Sequence, residues 1–175
     1  IGKFDYLNEF CKVVYLPRTE GISSTMLRDS TQDTVNVGII GCGRVASRFP
    51  AEANVVSGIK ITAAYDIDKT KVLQFVDKNN GVKPCDNIKD LLKSVDAVYV
   101  ATPHLTHYEY IKEALTYQKH VLAETPMVLQ EERANELFEL AEKQKCVLIE
   151  ANKTAYCPAF NHLMVMIKSG VIGQV

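Results

Sequence analysis

The sequence predicts an α/β protein: a doubly wound parallel sheet covered by helices on both faces. Three observations predict it. Short β-branched or apolar runs recur from Val35 onward, amphipathic helical patterns lie between them, and a glycine-rich turn follows the first run. Strand and helix alternating in this way imply right-handed crossovers between parallel strands, with a ligand site at the strands' carboxyl ends.

The first strand is Val35-Asn-Val-Gly-Ile-Ile40, and the second runs from Ile59 to Tyr65. Ala97-Val-Tyr-Val-Ala101, His120-Val-Leu-Ala123 and Val147-Leu-Ile149 supply three more, each apolar enough to be covered on both faces. Between them, Tyr108, Ile111 and Leu115 fall on one helical face, as do Ala134, Leu137, Phe138 and Ala141 in the next helix. The polar stretch Arg28 to Thr34 reads as a linker between a front segment, 1–33, and the strand-helix region from 34 onward.

Composition bounds the function. The chain has 175 residues, 47% of them hydrophobic and 23% charged, enough to bury one sizeable core. A formal net charge of -1 and no basic run argue against nucleic acid as a partner. Five cysteines, Cys11, Cys42, Cys85, Cys146 and Cys157, are odd in number and form no CxxC pair, so neither a disulfide framework nor a zinc site is expected, and a reducing cytoplasm is the simplest setting. No apolar run approaches the roughly 18 residues of a membrane span. The chain opens on Ile1 rather than Met, as a segment of something longer would.

Gly41-Cys42-Gly43-Arg44-Val45-Ala46 follows the first strand as a GxGxxA pattern. Gly41 suits a tight turn, Gly43 lets backbone approach a pyrophosphate, and Ala46 lets helix and strand pack closely, with the helix start offering N–H groups to phosphate. A glycine turn alone is a weak signal. The second strand, however, ends at Asp66, about 25 residues on, where a carboxylate can accept hydrogen bonds from the adenosine ribose. Asp66 has an alternative reading as a helix cap, although Asp68 is better placed for that. Together the turn and the acid point to a dinucleotide, and the acid to NAD rather than NADP, since it would repel a 2′-phosphate and Lys69 is the only cation expected close by.

Later motifs make a resemblance specific. Val98-Tyr-Val-Ala-Thr-Pro-His-Leu-Thr-His107, then Ala114-Leu115, then Lys119-His-Val-Leu-Ala-Glu-Thr-Pro126, resemble the TP…H turn, AL helix end and GKHVxxEKP strand-turn of the Gfo/Idh/MocA oxidoreductases. The resemblance covers about Val35 to Val175. It implies that 34–150 is a Rossmann domain that binds NAD and that 151–175 is the entry helix of a second domain, the larger carboxyl-terminal α/β domain that in the family carries substrate contacts and usually an oligomer interface, so a homo-oligomer is compatible. It also implies that Thr102, Pro103 and His107 lie by the nicotinamide half, that Glu124 binds the cofactor, and that the Thr125–Pro126 peptide is cis. His107 can equally be a helix-start histidine bonded to backbone. His104 and His107 have no accompanying ligands, so no metal is expected. Where the family has Glu-Lys-Pro, this chain reads Glu124-Thr125-Pro126. Thr125 donates one hydrogen bond but carries no charge and is no acid near neutral pH. Lys153 is the candidate substitute cation, its alternative being a solvated surface lysine.

The front segment carries a second resemblance. Val13-Val-Tyr-Leu-Pro-Arg-Thr-Glu-Gly-Ile-Ser-Ser-Thr25 is similar to the RTEGISTT motif of glycerol-3-phosphate cytidylyltransferase and its relatives, in which Ser23, Ser24 and Thr25 would approach CTP phosphates. The HxGH element of that family is absent, and a chance match in a loop is the alternative. Three functions follow: the cofactor half of an NAD-dependent oxidoreductase on a sugar, polyol or related hydroxyl compound, in a fusion with a cytidylyltransferase; a parent that is chiefly a cytidylyltransferase using CTP; or an NAD-binding module without turnover.

Overall fold

The computed structural model describes residues 34–173, within a unit that begins at Thr34. The front-segment readings, the cytidylyltransferase-like motif among them, lie outside the described residues. Strands β1 (Val35–Ile40), β2 (Ile59–Tyr65), β3 (Lys83–Pro84), β4 (Ala97–Val100), β5 (His120–Ala123) and β6 (Leu148–Glu150) form one sheet in the order β3-β2-β1-β4-β5-β6. All pairings are parallel. The five strands expected from the sequence are present, with ends displaced by a single residue at Ala101, Val147 and Ile149. The two-residue β3 was not expected, because Lys83–Pro84 is exposed and has no apolar pattern.

Helices α1 (Phe49–Ala53), α2 (Lys69–Lys78), α3 (Ile88–Ser94), α4 (His104–Thr116), α5 (Glu131–Gln144), α6 (Lys153–Tyr156) and α7 (Pro158–Lys168) complete the elements. Alternation along the strands divides the core. Val37, Ile39 and Tyr99 join residues of α1 and α2, such as Ala53, Val72 and Phe75, on one face. Ile40, Val98 and Val100 join Leu91, Leu92, Ile111, Leu115 and Leu137 of α3, α4 and α5 on the other. Each fully buried Leu or Ile contributes about 1.5–3 kcal/mol of transfer free energy.

Local chemistry sets the boundaries. Asp68 caps α2 by accepting Thr70 N–H at 3.0 Å, and Asn87 caps α3 by accepting Asp90 N–H at 2.9 Å, so the cap preferred from the sequence is the one used. Glu131 and Glu132 occupy the first turn of α5, where negative charge complements the helix dipole. One expectation fails on α5: Phe138 is 50% exposed. Its neighbour Leu137 points into the core, and at about 100° per residue Phe138 is carried off the buried stripe, whose other members are Ala134, Leu140 and Ala141. The helix expected after the glycine turn is also short. A 3₁₀ turn, Ala46–Arg48, precedes the five-residue α1, because Pro50 has no N–H with which to continue a regular α ladder into that turn. Among the described residues no helix is long and apolar enough to cross a membrane, and no group of His, Cys, Asp or Glu could hold a metal ion.

Candidate cofactor-binding site

The order of the sheet reverses between β1 and β4, and the crevice this leaves lies over the strands' carboxyl ends. Gly41 stands at its base with φ 93°, and its N–H bonds to Tyr65 O at 2.8 Å. A Cβ there would lie 2.7 Å from Ala101 O, so both the backbone and the space demand glycine. Gly43 is different. A Cβ on it would meet nothing within 4 Å, so the protein's own packing does not require glycine at this position. Gly43 lines a cleft of about 380 Å³ together with Gly41, Arg44, Val45, Asp66, Thr102 and Pro103, among others. Seven of the eleven residues expected at the site from the sequence thus meet in one cavity.

Asp66 is half-buried at the tip of β2. Its Oδ2 accepts Cys42 N–H at 2.8 Å and its Oδ1 accepts Asp68 N–H at 2.9 Å, so the carboxylate braces the glycine turn and keeps further lone pairs for a ligand. The Cys42 thiol is pushed up to about 12, chiefly by burial and then by the Asp66 carboxylate, with Lys71 working the other way. Lys69 corrects the sequence reading: its Nζ pairs with Asp86 at 2.9 Å, and it does not line the cleft. The cations that do are Arg44 and Lys71. With α2 beginning just after Asp68, residues two apart diverge by about 200° around the helix, which sends Lys69 and Lys71 in different directions.

Sequence reasoning also missed Tyr65, Thr106 and Tyr110, which line the same cavity. A signal was present, since Thr102, Thr106 and Tyr110 are spaced by four, and in the structure Thr106 Oγ1 lies 3.0 Å from Thr102 Oγ1. The Tyr110 ring meets Tyr65 edge-on at a centroid separation of 6.4 Å.

The other four expected residues lie outside this cavity. His107 is fully buried, with Nε2 2.7 Å from Thr102 O and Nδ1 3.0 Å from Pro126 O. The backbone-bonded reading of this histidine therefore describes its contacts. Glu124 is half-buried and accepts the Tyr99 hydroxyl, whose own titration is driven upward first by burial and then by this bond. Tyr99 stacks on Phe49 at 4.2 Å. Thr125 is exposed, the Thr125–Pro126 peptide is cis as the resemblance implied, and Met127 N–H donates to Glu150 Oε1 at 2.9 Å just beyond it. Lys153 is 71% exposed and pairs with Glu52 of α1 at 3.4 Å.

A parallel sheet in this order, with a glycine turn and an acid meeting at its switch point, defines a dinucleotide-binding Rossmann domain. Over residues 35–152 the chain matches the family described as "Oxidoreductase family, NAD-binding Rossmann fold", and it belongs to that family, the Gfo/Idh/MocA oxidoreductases. The residues present fit NAD(P): the space at Gly43 is open to a ligand, and Arg44 and Lys71 stand beside it.

Among curated relatives, the dTDP-3,4-didehydro-2,6-dideoxy-alpha-D-glucose 3-reductase of Actinomadura kijaniata is 33% identical, over 86% of this chain and 46% of its own length. The scyllo-inositol 2-dehydrogenase (NADP(+)) IolU of Bacillus subtilis is 29% identical over 74% of this chain and 40% of its own length. The chain therefore spans less than half the length of these relatives. Among solved structures, KijD10, a 3-ketoreductase from Actinomadura kijaniata in complex with NADP and TDP-benzene, superimposes with a TM-score of 0.74 at 30% identity, covering 79% of this chain and 43% of that one.

Proposed function

We propose that the chain is the cofactor-binding part of an NAD-dependent oxidoreductase that interconverts a hydroxyl and a carbonyl on a sugar, polyol or related compound. The observation that carries this is the pairing of unfilled space at Gly43 with the Asp66 carboxylate in one cavity. Bound NAD supplies hydride transfer at nicotinamide C4. The chain's own residues bind and orient. Gly41, Gly43, Arg44 and Val45 take the pyrophosphate, with the Arg44 charge complementing it. Asp66 takes the adenosine ribose hydroxyls and opposes a 2′-phosphate. Thr102, Pro103 and Glu124 flank the nicotinamide half, with His107 behind them. Thr125 offers a hydroxyl where the family offers an ammonium, and Lys153, tied to Glu52, is the nearest replacement the sequence suggests. Sugar-related substrates are supported by the names of the relatives, which act on a deoxysugar nucleotide and an inositol.

Two further readings rest on single features. The uncharged Thr125 favours an NAD-binding module without turnover, and Arg18-Thr-Glu-Gly-Ile-Ser-Ser-Thr25 favours a parent fused to a CTP-using cytidylyltransferase, which an HxGH upstream of Ile1 would settle. Assembly as a homo-oligomer is part of the leading reading. The test of that reading is a calorimetric titration of the chain with NADH: one saturable site is expected, and no binding would overturn it.

A further inference from the structure

The ladder between β4 and β5 ends with Glu124 N–H on Val100 O at 2.9 Å. Beyond it the chain leaves each strand in a separate segment, the Thr102–Pro103 turn after β4 and the Thr125–Pro126 loop after β5, which the sheet no longer joins. His107, in the first turns of α4, spans that gap. Its Nε2 is 2.7 Å from Thr102 O and its Nδ1 3.0 Å from Pro126 O. Its ring has no exposed surface, so it has none to offer a ligand. A phenylalanine would fill a similar space with no polar atoms to satisfy, whereas a buried imidazole must be hydrogen-bonded. The turn it reaches is steadied a second time by Thr106 Oγ1, 2.7 Å from Pro103 O. Thr102 and Pro103 line the cofactor cleft directly in front of this bridge.

We propose that His107 is the positioning residue of the nicotinamide half of the cleft: it fixes the spacing of the Thr102–Pro103 turn and the Thr125–Pro126 loop without touching the dinucleotide. This rests on the cavity's being the NAD site. Both partners of the ring are carbonyls, and a neutral imidazole has one N–H, so a neutral ring bonds one loop and only a doubly protonated ring bonds both. Either way the ring lies between the two segments, and its loss leaves at least one part-buried carbonyl without this donor. The adenosine half is held elsewhere, by the glycine turn and Asp66, which share no hydrogen bond with His107. The two halves of the ligand should therefore respond differently.

The experiment titrates the full chain with NADH and with ADP, for the native sequence, His107→Phe and His107→Gln. His107→Phe is expected to weaken NADH by about tenfold, as loss of one neutral hydrogen bond does, while ADP changes by less than about twofold. His107→Gln, whose amide can donate to one carbonyl, is expected to recover part of the loss. Equal losses for NADH and ADP, or no loss for NADH, would overturn the proposal. Should His107→Phe not fold, the native chain still decides: the His107 imidazole N–H resonances should shift on adding NADH and not on adding ADP, and the reverse pattern would overturn it. If the native chain binds ADP but not NADH, the bridge proposal fails while the adenosine site stands; if it binds neither, the cofactor reading itself fails.

Discussion

The carboxylate of Asp66 holds the N–H of Cys42 at 2.8 Å, which ties the end of β2 to the turn that leaves β1. One side chain thus shapes the glycine turn and faces the same cavity. Asp66→Ala should lower NADH affinity and also move the NADH to NADPH affinity ratio toward NADPH, because Arg44 and Lys71 remain in the cavity once the opposing charge is gone. Calorimetry with both cofactors checks this. An unchanged ratio would mean that Asp66 is not the ribose ligand.

The two glycines of the turn should fail in different ways. Gly41→Ala places a Cβ 2.7 Å from Ala101 O on a backbone with φ 93°, and should cost about 1–3 kcal/mol of unfolding free energy. Gly43→Ala meets nothing, so its unfolding free energy should change by no more than about 0.5 kcal/mol, while its NADH affinity falls as the Cβ enters the cavity. Urea unfolding beside NADH titration separates the two. Tight NADH binding by Gly43→Ala would place the pyrophosphate elsewhere.

Cys42 should be unreactive despite its position in the binding turn. Its thiol is pushed from 9.0 up to about 12, so at pH 8 alkylation of the folded chain should mark exposed Cys157 and spare Cys42. The same shift has a sign for stability. A group that holds its proton more tightly when folded stabilises the fold below its unfolded value, and that contribution is lost as pH rises from about 9 toward about 12. Cys42→Ser should flatten this alkaline loss. An equally steep decline in the variant would assign it to other groups.

With no cation at Thr125, the chain should bind NADH but transfer hydride over a panel of sugars and polyols more slowly than its Thr125→Lys variant. One charged donor is worth on the order of a hundred- to a thousandfold in rate. Lys153→Ala should change stability by less than about 1 kcal/mol, because its ion pair with Glu52 is largely solvated. Clear turnover by the native chain, unaffected by Lys153→Ala, would show that neither lysine position is required.

Most of this site could be read in the sequence because its parts are local. The glycine turn, the acid ending β2 and the TP turn each sit at a strand's carboxyl end, and parallel topology brings such ends together. What could not be read depended on direction rather than position. Lys69 and Lys71 look alike in sequence, and only the cap at Asp68 decides which faces the cavity. Phe138 fits the helical pattern as well as Leu137 does, yet a rotation of one residue separates core from solvent. The double contact of His107 joins residues five and nineteen positions away, and no spacing rule anticipates it. Left-handed Gln118 and Lys145, just past the ends of α4 and α5, escaped for a related reason: glycine is the usual signal for that conformation, and neither residue carries it.

Strand β3 has a consequence beyond its place in the order of the sheet. It forms one margin of the sheet, where a longer strand would leave a row of unpaired N–H and C=O groups as a template for a second chain. Here the margin is two residues long: the first, Lys83, brings a charge, and the second, Pro84, has no N–H to donate. A foreign strand finds almost no ladder to extend on that side, so the sheet is shielded there from self-templated aggregation by the same brevity that hid β3 from its sequence pattern.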